Sequence, residues 1–278
     1  MGKVYALANQ KGGVGKTTTV VNLGAYLSSV GLKVLIIDLD PQSNATSSMG
    51  VGKNEVQAST YDVMIERRTL ADVVQTTEWK RLFLAPASPG LAGAEVELVG
   101  MLAREFRLRR SMELVVDEYD YILIDSPPSL GLLTVNTLAA ALNGVIVPMQ
   151  CEYLALEGLS ELLRTIRLVH ENLNARLTIR GILMTMYDSR TNLARQVVED
   201  VKQHFGDRVF QTIIPRNVRL GEAPSFGQPI MAYAPTSAGA LAYQDLTVEI
   251  LRADGWRFPA RDGTHDGVRD VAKKGGSE

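Results

Sequence analysis

Gln10-Lys11-Gly12-Gly13-Val14-Gly15-Lys16-Thr17-Thr18 follows an apolar run at residues 4–8 and precedes an amphipathic stretch at 20–30. A strand, a glycine-rich loop and a helix start, in that order, are the context a phosphate-cradling loop requires. Gly12, Gly13 and Gly15 let the backbone curl until several N–H groups face one anion. The helix N-terminus adds its dipole at the same point. Lys16 supplies a point charge for β- and γ-phosphates, and the Thr17 hydroxyl offers Mg2+ the hard oxygen it prefers. The common form of this loop, G-x-x-x-x-G-K-[ST], places a glycine where this chain has Gln10. A second lysine, Lys11, stands at the start of the loop instead.

The rest of the chain alternates apolar runs with helical patterns. Runs at 3–8, 33–38, 82–86, 121–125, 144–150, 179–186 and 209–214 read as strands, mostly without polar alternation, as buried parallel strands do. Helical periodicity fills 16–30, 91–102, 107–118, 132–142, 156–174, 194–205 and 238–253. The pattern predicts an α/β fold of the P-loop NTPase kind: one mostly parallel twisted sheet with helices on both faces. No linker splits residues 1–255, which are expected to form one domain. Residues 256–278 are polar and glycine-bearing and are expected to be a disordered tail, and 50–58 a mobile loop.

Composition narrows the function. The 278 residues are 46% hydrophobic and 22% charged, values of an ordinary globular protein. A single cysteine, Cys151, excludes an internal disulfide framework and any multi-cysteine metal site within one chain, and fits a reducing cytoplasm. No apolar run approaches the roughly 20 residues of a membrane span, and the strand-like N-terminus lacks a signal pattern. Net charge is −2, so any nucleic-acid role must come from a local patch. Residues 164–219 hold ten Lys/Arg against five Asp/Glu, with Arg190, Arg195, Lys202, Arg216 and Arg219 among them. His170, His204 and His265 show no metal-ligand spacing.

Two more strand ends carry carboxylates. Asp38 and Asp40, two apart at the end of the second strand, point to the same side of an extended segment. One can hold the Mg2+ shell while the other polarises an attacking water. The run 121–125 ends in Asp125, the pattern that sets a carboxylate beside a metal, and Pro127 and Pro128 stop that strand.

Together, the 11–18 loop, Asp38-Leu39-Asp40-Pro41-Gln42 and Asp125-Ser126-Pro127-Pro128 resemble the deviant Walker-A ATPases of the ParA/MinD superfamily. The blocks at 150–158 and 214–225 resemble its chromosomal ParA (Soj) branch, and the likeness runs from about residue 1 to 251. The resemblance implies an ATP- and Mg2+-dependent ATPase. In it, Lys11 would reach across a nucleotide-sandwich homodimer to the partner's phosphates. Residues 11–18 would bind the nucleotide, and Lys16, Lys11 and Asp40 would serve hydrolysis. Thr17, Asp38 and Asp125 would surround the metal, while Pro215 and Asn217 would lie against adenine. Arg190 and Arg219 would belong to a non-specific surface for double-stranded DNA, and a ParB-type centromere-binding protein would stimulate turnover. The expected setting is the cytoplasm, beside the nucleoid.

The alternative within the superfamily is a MinD-like membrane switch for division-site placement. The tail 269–278 has no apolar face to insert in lipid, so stable membrane association is not expected. An iron–sulfur reductase component would need two cysteines per subunit, and a small-metabolite kinase would leave Lys11 without a purpose. The chain starts at its first strand, so operator-specific DNA reading by an N-terminal helix-turn-helix is not expected either.

Overall fold

The central strands are apolar at nearly every position because both of their faces are covered. In the computed structural model, which describes residues 2–52, 55–152 and 155–256, Val34 and Ile36 enter one core while Leu35 and Ile37 enter another. Tyr121 and Leu123 oppose Ile122 and Ile124 in the same way. The strands are β1 Lys3–Leu7, β2 Val34–Asp38, β3 Gln75–Thr76, β4 Leu82–Ala85, β5 Tyr121–Asp125, β6 Val145–Gln150 and β7 Ile179–Thr185. Their order is β3-β4-β2-β5-β1-β6-β7. Only the short β3 is antiparallel.

The helices are α1 Lys16–Ser29, α2 Asn44–Ser48, α3 Thr60–Met64, α4 Leu70–Val73, α5 Leu91–Leu98, α6 Arg107–Met112, α7 Leu132–Ala140, α8 Ala155–Asn172, α9 Asn192–Phe205, α10 Val218–Glu222, α11 Ile230–Tyr233 and α12 Ala238–Ala253. Helices α1, α11 and α12 cover one face of the sheet. On the other face α3 to α7 cover the β4 side, and α7 to α9 cover the β7 side. Helix α1 lies so close to β2 that a Cβ on Gly24 would come within 3.0 Å of Ile36 Cδ1. The helix that opens at the phosphate loop is thereby pinned to the centre of the sheet.

Three expectations need correction. Residues 209–214 are not a strand. They run along β7, with Phe210 N donating to Ile182 O (3.0 Å) and Ile214 N to Met184 O (2.9 Å), but between the bridges Ile182–Val209 and Tyr187–Pro215 the outer segment carries one residue more than its neighbour and no continuous ladder forms. The amides of Gln211 and Thr212 donate instead to the Glu249 carboxylate, at 2.7 and 2.9 Å. The run 107–118 is broken after Met112 and ends in a 3₁₀ turn, Val116–Glu118. The run 91–102 stops being helical at Leu98. Helices α2, α3 and α4 fall in a stretch too short and polar for periodicity to show; capping boxes at Ser59 and Thr69 start α3 and α4. The tail 257–278 lies outside the described residues, as do residues 53 and 54 of the 50–58 loop.

At the amino ends of the strands one carboxylate ties the sheet to the last helix. Asp254 accepts from the hydroxyls of Tyr5 (2.7 Å) and Tyr121 (2.8 Å) and pairs with Arg180 (3.2 Å). Burial and the neighbouring carboxylate raise both tyrosine hydroxyls above their ordinary pKa. Removing one partner from a buried network leaves the others unpaired, at a cost of about 3 kcal/mol. Asp254→Ala is therefore expected to lower unfolding stability by about that amount, read from urea denaturation, with nucleotide affinity unchanged.

Candidate nucleotide-binding site

The loop after β1 is held open from several sides. Asn9 donates its Nδ2 to Pro148 O at 2.7 Å and accepts from Lys11 N at 3.0 Å. Thr185, at the end of β7, donates to Val14 O at 2.9 Å. Gly13 and Gly15 have φ of +73° and +90°, where L side chains are strained, so the curl depends on glycine. Lys16 then opens α1, and Thr19 closes the first turn by bonding Gly15 O through both N (2.9 Å) and Oγ1 (2.7 Å). Thr18 O accepts from Asn22 Nδ2 at 2.7 Å, one turn on.

Lys16 is only 6% exposed. Its ammonium turns back over the loop and lies 3.4 Å from Lys11 O. Burial lowers its pKa, and the charges of Asp125 and Asp40 oppose that shift. A cation held dry at a helix start is ready to meet an anion without first shedding water.

The carboxylates arrive by strand register. Asp125 pairs with Leu7 on one side and Asp38 on the other. Asp125 is fully buried; its Oδ2 accepts from Thr17 Oγ1 at 2.6 Å and its Oδ1 has no hydrogen-bond partner. Burial, then the Asp38 charge, pushes its carboxyl well above the usual range, while Thr17 and Lys16 pull it down. A buried carboxylate oxygen without a donor, next to a threonine hydroxyl, is the hard oxygen set that suits Mg2+. The residues present fit that ion.

Asp38, expected with Thr17 and Asp125 around the metal, is bonded differently from Asp125. Its Oδ1 accepts from Asp40 N (3.1 Å), and its Oδ2 from Thr46 N (2.8 Å) and Thr46 Oγ1 (2.7 Å). Burial pushes it up to about 6. These bonds tie Asp38 to the turn that carries Asp40 and to the start of α2. Asp40 is buried too, and its Oδ1 accepts from Gln42 N at 2.9 Å.

Lys11, Gly12 and Gly13 form the exposed mouth of the loop. Lys11 Nζ pairs with Glu152 at 2.8 Å, and Glu152 also accepts from Gln150 Nε2. A Cβ on Gly12 would meet only Pro128 Cβ, at 3.9 Å. Pro215 runs beside Tyr187, and Asn217 uses its Oδ1 to cap α10, accepting from Arg219 N at 2.9 Å. Arg190 forms a two-point pair with Asp188 (2.8 and 2.6 Å), and Arg219 pairs with Glu222 (2.8 Å). Both guanidiniums remain exposed, on segments joined by the Arg216 N to Tyr187 O bond. Sequence reasoning missed Asn9, Thr46 and Thr185, and placed Glu152 in the 150–158 block as a structural or interface charge without its partner Lys11. Only the position of Thr185 at a strand's carboxyl end offered a signal for it.

A family model described as an AAA domain matches residues 2–179. The sporulation initiation inhibitor protein Soj of Bacillus subtilis is 55% identical over 250 residues, covering 90% of this chain and 98% of that protein. The chromosome partitioning protein ParA of Myxococcus xanthus is 49% identical over 261 residues, covering 94% and 92%. Among solved structures, cobyrinic acid a,c-diamide synthase from Mycobacterium smegmatis, with bound ADP and magnesium, superposes with a TM-score of 0.81 at 38% identity, covering 95% of this chain and all of that one. The chain belongs to this family of P-loop proteins, alongside Soj and ParA.

Lys16→Ala removes the one cation buried at the loop. ATP affinity is expected to fall by about a hundredfold or more, by calorimetry. The fold should persist, because burying that charge opposes folding. Unchanged affinity would remove Lys16 from the site.

Proposed function

We propose that this protein is the ATP-driven switch of a DNA-partitioning system, acting as a sandwich homodimer that binds DNA without sequence preference. It is an ATPase with ATP and Mg2+ as ligands. The observation that carries the switch is the pair of lysines. Lys16 is buried under its own loop, whereas Lys11 stands at the exposed mouth, held only by the surface residue Glu152. One loop has no need of both, and an exposed second lysine suits phosphates contributed from across an interface, as an arginine finger does in trans.

In that reading residues 11–18 wrap the phosphates with backbone N–H groups, and Lys16 neutralises them from inside. Thr17 and Asp125 hold the metal, which when bound shields charge developing on the phosphoryl oxygens. Asp40, set by Asp38 and Thr46, orients the attacking water. Release of phosphate removes what Lys11 of each subunit grips, and the dimer parts. Pro215 and Asn217 lie against the base, with the amide Nδ2 of Asn217 left to donate. Residues 1–255 act as one ATPase unit, with 256–278 as a tail. Division-site placement on a membrane is the less supported reading: no helix among the described residues is long and apolar enough to cross a membrane, and the relatives at 49–55% identity are named for partitioning or sporulation. A ParB-type partner and a place on the nucleoid complete the proposal.

Two experiments test it. Gly12→Val adds bulk where the monomer has room and a partner's loop would not. The variant should bind ATP normally yet stay monomeric in sedimentation; a normal ATP-dependent dimer would contradict the sandwich. Arg219→Ala should weaken DNA binding in ATP and lower the log–log salt slope by roughly 2 per dimer if both copies contact phosphate. Equal DNA affinity in ADP and ATP would separate DNA binding from the dimer.

A further inference from the structure

A second basic cleft shares no residue with the phosphate loop. It holds about 350 Å³ between the α3–α4 turn and α6. Four arginines line it: Arg67 and Arg68 on the turn, Arg107 and Arg110 on the helix. Glu66 and Asp72 are the acids of the lining, and both are occupied. Glu66 pairs with Arg107. Asp72 accepts from Thr69 N (2.9 Å) and Thr69 Oγ1 (2.7 Å) as part of a capping box.

The chain is built to converge these charges. Glu66 takes a positive φ of 59°, and the amides of Arg67 and Arg68 both return to Asp62 O. That turn presents two successive arginines on one wall. Arg67 is steadied over the Tyr61 ring, 5.7 Å from its centroid. Arg107, on the other wall, is only 8% exposed. It donates to Leu102 O at 2.8 Å, yet its Nε is buried with no hydrogen-bond partner. A buried guanidinium with an unmatched donor beside three exposed ones is an arrangement that an anion completes.

We propose that this cleft binds a small phosphoryl ligand carrying two or more negative charges, such as a pyrophosphate or the phosphate end of a polyphosphorylated metabolite. Guanidinium forks match phosphoryl oxygens in pairs, and three exposed forks together with the unmatched Arg107 Nε line one hollow. The volume is that of a small-molecule site. A duplex backbone is convex and is met by cations spread along a surface, whereas here they line one cleft. The lining holds no aromatic ring to stack a base, so the phosphoryl group itself is what is recognised. The proposal is independent of the DNA reading.

The test is calorimetry with pyrophosphate on the full chain, with ADP and Mg2+ saturating the phosphate loop. The parent should bind one pyrophosphate per chain and gain thermal stability from it. The double variant Arg68→Ala/Arg110→Ala changes only exposed side chains, so it should fold and hydrolyse ATP as the parent does. It should bind pyrophosphate at least about tenfold more weakly. Arg110→Lys, which keeps the charge and loses the fork, should fall between the two. No pyrophosphate binding by the parent, or equal affinity in the double variant, would overturn the proposal. A double variant that loses DNA affinity and salt slope, from a parent that takes up no pyrophosphate, would instead make the cleft a backbone contact and end the small-ligand reading.

Discussion

Three carboxylates and one ammonium are held out of water within a few residues of the same strand ends, and much of the architecture serves to hold them there. Asp38, Asp40, Asp125 and Lys16 are all buried. Three negative charges against one positive is an imbalance that a low-dielectric site resists. The strain shows in direction: burial raises Asp38 and Asp125 and lowers Lys16. A divalent cation brings the missing charge, and a triphosphate brings the anion that Lys16 and the loop amides await. The site is stable enough to fold and unbalanced enough to need its ligands.

What holds the imbalance is the rigidity of the frame. Strand register sets Asp125 level with Leu7 and Asp38, so the carboxylates cannot move apart without breaking ladders. Thr185 and Asn9 anchor the loop from β7 and from the β6 backbone. Gly24 lets α1 settle on β2, and Asn22 Oδ1 accepts from Ile230 N at 2.6 Å, tying the same helix to α11. The Asp254 network closes the far ends of β1, β5 and β7. Buried polar groups that are matched on this side of the sheet offset those left unmatched on the other.

Most of this frame was legible in sequence for a physical reason. Strands covered on both faces must be apolar throughout, so β1, β2, β5, β6 and β7 stood out, and a charge ending such a run had to be functional or paired. The glycines of the loop were legible because positive φ is nearly a glycine property. The short helices α2 to α4 were not, since one or two turns show no period and rest on caps. The segment 209–214 misled because Phe210 and Ile214 are buried against the sheet and donate to β7, while the amides of Gln211 and Thr212 between them turn to Glu249; composition reports burial, and ladders need register as well. The Asp38 and Asp40 roles were open because two residues of equal chemistry separate only when their donors are seen. Thr46, eight residues downstream, donates to Asp38 through both N and Oγ1, a partner the local sequence does not announce.

The surface charges follow the opposite logic. Lys11–Glu152, Arg190–Asp188 and Arg219–Glu222 are all pairs at the water boundary, the last two local in sequence. Solvent screens such pairs, and their ions exchange partners at little cost. An incoming phosphate competes with a carboxylate whose hold water already weakens. The buried charges are therefore fixed by the frame, and the exposed ones stay able to change partners. If the two sets exchanged places, with Lys11 buried in a matched pair and Lys16 exposed, the loop would lose its dry cation at the helix start and the mouth would lose a cation able to change partners.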